Sequence, residues 1–545
     1  MEALAANSAW MTPLETRLDD EKRLILDVDI KVGTRTFPVF LRYPANFPHT
    51  PPSVYPRGDE SLWSNHQFGP GGELCLEHGP DTWTSDTAGA RVLESAHRLL
   101  SKENPPSGKP QAVPSRHEVS VGQRFRTTHS RLFLTRDQSG FLAGVPVRTK
   151  LSAKVLLEFR SECTVYFIDK VDMPDGEPWH SAEIPRTLSG ESFDRSASIL
   201  RIHEQSALPP SADITEFKAA AIALGFEGTE PTVIILKGTS VHTYVVLDTA
   251  VLAVTTMPLE PEAQRLDEAH AALKSKSVAI VGCGSVGSKI ATMLARSGVS
   301  DFYLIDDDLL LPGNLVRHDL DWRDIGMHKA DAVAQKIKNV NPAAQVLVRR
   351  IRMAGQESSG SADAAMSSLT IRDLIVDATA NANVFNLASA LAVSARKPMV
   401  WALVYGGGFG GLVARYRPEI EPPPPIMRRA IENWFAEKNY KPKVVTRDYA
   451  TGGDGPPLIA DDADVTSIAA PAARMVIDTL IGRDPSHFPF SAYVVGLAQE
   501  AGLFTQAFET YPIEMPAPTP PEIAPELSQE EATVELQKIV QMILK

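Results

Sequence analysis

Apolar and polar residues alternate at short period across residues 22–43 (KRLILDVDIKVGTRTFPVFLRY), and a Val-Gly turn interrupts them, so two strands are predicted there. A proline-dense stretch follows, and AGARVLESAHRLL at 88–100 then carries apolar residues at helical spacing. Residues 102–115 (KENPPSGKPQAVPS) are polar and proline-rich, the composition of a linker. From about 119 to 262 come the strand-like runs AKVLLEF, CTVYFI, TVIIL and TYVVLDTAVLAV, with one helix, DITEFKAAAIALGF, and no catalytic motif among them. A strand at 277–281, a helix at 285–297 and a strand at 301–306 form a βαβ unit, and the alternation continues to about 510. Residues 511–526 are again proline-rich, and SQEEATVELQKIVQMILK closes the chain as an amphipathic helix. No internal repeat is visible. The predicted organisation is an α+β domain over 1–101, a linker over 102–118, a middle α/β domain over 119–262, a Rossmann-like α/β domain over 263–510, and a tail over 511–545.

Length agrees with this division, because 545 residues exceed what one core supports and two to four domains are expected. Hydrophobic residues make up 43% and charged residues 22%, as in ordinary globular proteins. The formal charge of −13 argues against general nucleic-acid binding, which needs clustered cations. No apolar run reaches membrane-spanning length, and MEALAANSAWMTPLE lacks the basic and apolar blocks of a signal peptide. Cys75, Cys163 and Cys283 are the only cysteines, too few for a disulfide framework and without a C-x-x-C pair. The expected compartment is therefore cytoplasmic.

Candidate chemistry concentrates in VAIVGCGSVGSKIATMLARSGVSDFYLIDDD. Here Gly282, Gly284 and Gly287 fall between a strand and a helix, where glycine permits a tight turn and a phosphate can approach the helix N-terminus. Asp306 and Asp308 end the next strand, where a carboxylate can accept hydrogen bonds from ribose hydroxyls. These features fit a nicotinamide or flavin enzyme as well as an ATP site. The residues downstream separate the two: Asn314-Leu315-Val316-Arg317 comes after the acidic strand end, Gly326-Met327-His328-Lys329 opens the next helix, and LIVDATANANVFN delivers Asp377. Arginine and lysine beside a nucleotide neutralise triphosphate charge, and a carboxylate at a strand end suits magnesium. Hydride transfer needs neither.

These residues closely resemble the adenylating domain shared by ubiquitin-activating enzymes and the sulfur-carrier adenylyltransferases of thiamine and molybdopterin synthesis (the ThiF/MoeB type). The resemblance spans roughly 263–510 and includes PMVWALVYGGGFGGLVARYRP, that family's strand–glycine–strand element. It implies ATP and Mg2+, with Gly282, Gly284 and Gly287 lining the phosphate turn and Asp308 on the ribose. It further implies Asn314, Arg317 and Lys329 on the phosphates and Asp377 on magnesium. The implied reaction is formation of an acyl-adenylate at the C-terminal glycine of a ubiquitin-like protein. Zinc cysteines found in many relatives are absent, so packing must hold the region.

A second resemblance lies upstream. YPANFPHTPP (43–52) resembles the proline-rich strand end of ubiquitin-conjugating enzymes, and GPGGELCLEHGPDTW (69–83) their active-site segment, with Trp83 eight residues after Cys75. It implies that Cys75 carries the acyl group as a thioester, a task suited to a thiolate. Asn65-His66-Gln67 stands where most of that family has His-Pro-Asn. Gln67, His66 or backbone N–H groups are then the candidates for stabilising the oxyanion, and His78 and Asp81 for assisting proton transfer.

Thioester-forming activating enzymes also carry a cysteine of their own in a loop after the glycine–strand element. The matching loop, TRDYATGGDGPPLIADDADVTSIAAPAARMVIDTL, has none, and the resemblance puts the position at about Ala460. Neither Cys163 nor Cys283 is placed to substitute. Three routes stay open: an alanine introduced for the cysteine to trap a complex, which is favoured; direct passage of the adenylate to Cys75; or an oxyester on Thr466 or Ser467.

A conjugating domain fused ahead of an activating one resembles bacterial ubiquitin-like conjugation proteins of antiphage defence operons with cyclic-oligonucleotide signalling. That resemblance implies a nucleotidyltransferase or ubiquitin-like protein as acyl donor, a target protein as acceptor, an inactive adenylation remnant in the middle region, and a homodimer. The rivals from other classes are a nicotinamide-dependent oxidoreductase with an unrelated N-terminal module, and a nucleotide-binding scaffold without catalysis.

Overall fold

The computed structural model describes residues 6, 8–58, 63–64, 66–69, 71–79, 82–105, 120–174, 176–190, 193–259, 265–441, 460–518 and 529–543. They fall in two compact units that divide between Thr128 and His129.

In the first unit β1 (Met11–Leu18), β2 (Leu24–Val32), β3 (Arg35–Arg42) and β4 (Ser53–Pro56) form an antiparallel meander in that order. Alternation does what the sequence pattern predicts: Val28, Ile30 and Val32 on β2 and Phe37, Val39 and Leu41 on β3 all point into one core. The turn between them places Gly33 at φ +61°, a conformation glycine adopts without strain. β1 has no such signature, since MTPLETRL buries only its first residue and lies at the sheet edge. A two-stranded ribbon, β5 (Gln67–Phe68) with β6 (Glu73–Leu74), comes next. Helix α1 (Gly89–Glu103) lays Val92, Leu93, Ala96, Leu99 and Leu100 on the same core. It runs past the predicted end, so the first residues assigned to the linker are helical; 106–119 lie outside the described residues. The short α2 (Val121–Arg124) ends the unit.

The second unit contains two eight-stranded sheets. The first comprises β7 (Ser130–Phe133), β8 (Lys150–Phe159), β9 (Thr164–Val171), β10 (Trp179–His180), β11 (Phe193–Ile202), β12 (Thr232–Lys237), β13 (Ser240–Val246) and β14 (Val251–Thr256), with α3 (Arg136–Gly144) and α4 (Ile214–Leu224) between strands. Its order is β10-β9-β7-β14-β13-β12-β11-β8, and an added β8–β9 pairing closes every strand except β10 into a ring around Val155, Ile168, Ile199 and Ile234. Seven strands thereby lose their free edges.

The other sheet stays open. It takes β15 (Ser277–Val281), α5 (Ser285–Arg296), β16 (Asp301–Ile305), α6 (Lys329–Val340), β17 (Gln345–Arg349), α7 (Ser359–Thr370), β18 (Leu374–Asp377), α8 (Ala382–Ser394), β19 (Met399–Val404), β20 (Gly410–Tyr416), α9 (Pro424–Glu437), α10 (Asp462–Ile481), β21 (Ala492–Gly496) and β22 (Thr510–Ile513). Strand order is β17-β16-β15-β18-β19-β20-β21-β22, parallel through β19 and antiparallel beyond. Apolar runs such as LIVD, buried at every position, mark strands covered on both faces. Helices α5, α6 and α10 cover one face and α7, α8 and α9 the other. The predicted tail therefore begins as a strand, because Tyr511–Ile513 pair with β21. Helix α11 (Gln529–Ile543) closes the described chain. Among the described residues no helix is long and apolar enough to cross a membrane.

Candidate nucleotide site and the Cys75 segment

Parallel register brings the chemistry together. Val281 pairs with Ile305 on one side and Asp377 on the other, so the three strand ends lie side by side where the order reverses around β15, the place at which open α/β sheets form their ligand crevice. Ligands in open α/β sheets bind at such points. The three glycines of the turn do different things. Gly282 sits at φ +88°, and a side chain there would meet Thr379 Cγ2 at 2.8 Å. A Cβ on Gly287 would lie 1.8 Å from the Gly282 carbonyl oxygen, so this glycine lets α5 pack on the turn. Around a Cβ on Gly284 nothing lies within 4 Å. Gly284 is also the N-cap of α5, which has no side-chain cap and no acidic residue in its first turn. Open space beside uncapped helix N–H groups suits an anion such as a nucleotide phosphate.

The middle residue of the turn is held from both sides. The Cys283 N–H donates to Asp306 Oδ2 at 2.7 Å, and its carbonyl lies 2.9 Å from His318 Nε2. Asp306 Oδ1 accepts the Asp308 N–H at 2.9 Å. This alters the expectation for Asp306: its two oxygens brace the turn and the chain after β16, and burial pushes its carboxyl up. Asp308, by contrast, is exposed and paired with Lys329 Nζ at 2.7 Å. The Lys329 N–H also donates to the Asp308 carbonyl, so the first residue of α6 and the ribose candidate are locked together. Burial drives the Cys283 thiol up, which makes it inert.

Asn314 shapes the segment after β16. Its Oδ1 accepts the Leu311 N–H at 2.9 Å, and its carbonyl receives the N–H groups of Arg317 and His318. Arg317 is half-buried there. Asp377, 3% exposed, receives the Thr379 N–H at 3.0 Å and hydroxyl at 2.7 Å on Oδ1, and burial raises its carboxyl. Among the described residues no three of His, Cys, Asp or Glu converge on a metal position. Asp377 is a single carboxylate at a strand end, and a magnesium held there would take one or two carboxylates and complete its shell with phosphates and water. His318 and Thr379 escape sequence reasoning: each is one polar residue beside a motif, and only their contacts distinguish them.

Ala460 is 7% exposed and packs in the core cluster of α5 and α10, immediately before the N-cap Asp461. A thiol at that position would be shielded. Most of the loop before it, 442–459, lies outside the described residues. Lys289 of α5, itself buried, reaches Asp462 at 2.6 Å and ties the phosphate helix to the start of α10. Thr466 is half-buried and Ser467 exposed on that helix.

In the first unit Cys75 is partly exposed, and its N–H donates to the His66 carbonyl at 2.7 Å. The Gln67 side chain accepts from the N–H groups of Trp63 and Ser64 and donates to the Gly72 carbonyl at 3.2 Å. Its amide therefore shapes the loop that carries Cys75. The His66 ring is buried 3.5 Å from Glu103. Trp83 Nε1 donates to the Pro48 carbonyl at 2.7 Å, joining the segment that follows Cys75 to the proline-rich stretch at 43–52, and His78 lies edge-on to its ring. Asn65 and Asp81 lie outside the described residues. Cys163 is partly exposed in the second unit.

Residues 262–445 match the model of the ThiF family. The chain is 38% identical over 112 residues to the ATP-dependent ubiquitin transferase-like protein Cap2 of Enterobacter hormaechei, covering 21% of this chain and 18% of that one. It is 30% identical over 167 residues to the probable adenylyltransferase/sulfurtransferase MoeZ of Mycobacterium tuberculosis, covering 28% and 41%. Each match thus spans less than half of the relative's own length. A crystal structure of E. coli MccB with AMPCPP and MccA overlaps 46% of this chain and 67% of that one, at 18% identity and a TM-score of 0.36. That overlap is too loose to inform the site. The glycine turn, the open sheet and the match to the ThiF family model thus coincide within one stretch of the chain, residues 262–445.

Proposed function

We propose that this chain uses ATP to adenylate the C-terminal carboxylate of a protein and passes the acyl group to Cys75, from which it reaches a target amine. The observation that carries the first step is the strand-end crevice itself. Open space at Gly284, the cation Lys329 and the buried carboxylate Asp377 border a phosphate turn, and Arg317 lies on the next segment. A carboxylate oxygen attacks the α-phosphorus of ATP, the bond to the β-phosphate oxygen breaks, and pyrophosphate leaves. Lys329 and Arg317 offset the charge that develops. Bound at Asp377, magnesium would supply further phosphate neutralisation. Thiolate attack by Cys75 on the acyl carbon then expels AMP and leaves a thioester.

Support for the second step is the resemblance around Cys75, its partial exposure, and the similarity to Cap2, an ATP-dependent ubiquitin transferase-like protein. Ala460 as it stands carries no thiol, so in this chain the acyl group passes directly to Cys75 or by way of a hydroxyl on Thr466 or Ser467, and a cysteine in place of Ala460 would restore the remaining route. A ubiquitin-like protein or a cyclic-oligonucleotide synthase as donor, antiviral defence as the setting and a homodimer as the working form complete the reading.

The test uses the full chain with purified candidate donors. ATP–pyrophosphate exchange should persist in Cys75→Ala while the thiol-labile protein adduct disappears. Exchange absent with every donor, together with reduction of a nicotinamide cofactor, would establish the oxidoreductase alternative. Nucleotide binding without either activity would leave a scaffold.

A further inference from the structure

The phosphate turn has no side chain of its own with which to hold its shape, since it consists of Gly282, Cys283 and Gly284. Cys283 points its thiol into the core, and both its backbone polar groups are used by residues from elsewhere. Asp306 takes the N–H and His318 the carbonyl. His318 is 6% exposed. Its Nδ1 accepts the Leu320 N–H at 3.3 Å, so the proton of the neutral ring sits on Nε2 and is donated to the Cys283 carbonyl at 2.9 Å.

We propose that His318 is a positioning residue for nucleotide binding: held as the Nε2–H tautomer, it fixes the Cys283–Gly284 peptide so that Gly284 and the start of α5 face an incoming phosphate. The peptide plane between residues 283 and 284 carries the Cys283 carbonyl at one end and the Gly284 N–H at the other, so anchoring one aims the other. A ring that swung away would leave that carbonyl buried without a donor and free the plane to rotate. The surroundings favour the neutral ring. Lys329 of α6, paired with Asp308, and Lys289 of α5, paired with Asp462, both oppose a positive charge on it, while Asp319, its neighbour in sequence, favours one. Protonation would set a second N–H against that of Leu320 and add a buried cation near two lysines. Desolvation accordingly holds the imidazole down at about 4. His318 thus works as a fixed tautomer throughout the neutral range.

This inference rests on the nucleotide reading of the crevice, so its test starts with binding of α,β-methylene-ATP to the full chain by calorimetry. His318→Leu, which fills the space without hydrogen bonds, should weaken binding by about tenfold, the loss expected for a buried hydrogen bond that holds a binding group. His318→Gln can donate to the Cys283 carbonyl and accept from Leu320, and should bind within about threefold of wild type. In protein labelled with 15N-histidine, the resonances missing from His318→Gln should show a neutral Nε2–H ring at pH 5.5. Wild-type affinity in His318→Leu, equally weak binding by both variants, or a protonated ring at that pH would each overturn the proposal. Should His318→Leu fail to fold, the glutamine variant and the tautomer still decide it. If wild type itself does not bind the analogue, the nucleotide reading falls and this inference with it.

Discussion

Gly284 and Gly287 lie three residues apart, yet adding one methyl to each should have opposite consequences. At Gly287 the new Cβ would stand 1.8 Å from the Gly282 carbonyl oxygen and 3.2 Å from Ala378 Cβ. Real Cβ contacts do not fall below 3.0 Å, so backbone must retreat by more than 1 Å from a core that buries Val286, Ile290 and Ala291. Overpacking against backbone of this kind costs about 3 kcal/mol. That should lower Tm by roughly 6–12 °C in a domain of this size. At Gly284, with φ −74° and ψ −156°, alanine is sterically permitted and meets nothing within 4 Å. Its Tm should stay within roughly 2 °C of wild type. The methyl would nevertheless occupy the space assigned to phosphate, and the KM for ATP in pyrophosphate exchange should rise at least about tenfold, equivalent to about 1.4 kcal/mol. Thermal melts and exchange assays on the two variants check both halves. An unchanged KM in Gly284→Ala would show that phosphate does not sit there. A wild-type melt for Gly287→Ala would show that α5 does not press on the turn as described.

Other outcomes depend on single contacts. Asp377→Asn removes a buried carboxylate with nearly unchanged size, and loss of the charge stabilisation that a magnesium held there would supply should cut exchange by roughly 100-fold without moving Tm; near wild-type exchange would discard Asp377 as the metal ligand. Arg415 is fully buried and donates to Asp478 at 2.8 Å, so Asp478→Ala strands a cation and should cost about 3–5 kcal/mol while leaving the ATP KM unchanged; denaturant melts with exchange kinetics test this, and an unaltered stability would contradict the burial. In Ala460→Cys the new thiol should react slowly with a thiol reagent in the native protein and rapidly in denaturant, because the site is 7% exposed. Fast native labelling, or a second acyl adduct at 460, would restore the route through that position.

The alternating strands at 22–43, the helix near 88–100 and the βαβ unit from 277 were legible because each is encoded by side-chain period over a few adjacent residues. The glycine turn was legible for the same reason: its conformational demands fall on neighbouring positions. By itself the sequence also determined the order of chemical groups along the crevice, since parallel strands joined by helices must end on one side. It did not disclose β1, an edge strand with little to bury, nor the closure of the first sheet through β8 and β9, because backbone pairing leaves no mark on composition. Nor did it separate the duties of Asp306 and Asp308, two carboxylates two residues apart. Only the tertiary structure turned one onto the Cys283 N–H, 23 positions away, and the other toward Lys329. His318 is the same case: 35 residues from the carbonyl it holds, it belongs to the turn solely because the chain folds back. Local period and steric freedom are properties of adjacent residues, whereas the burial and hydrogen-bond partner that assign a polar side chain its task come from distant ones.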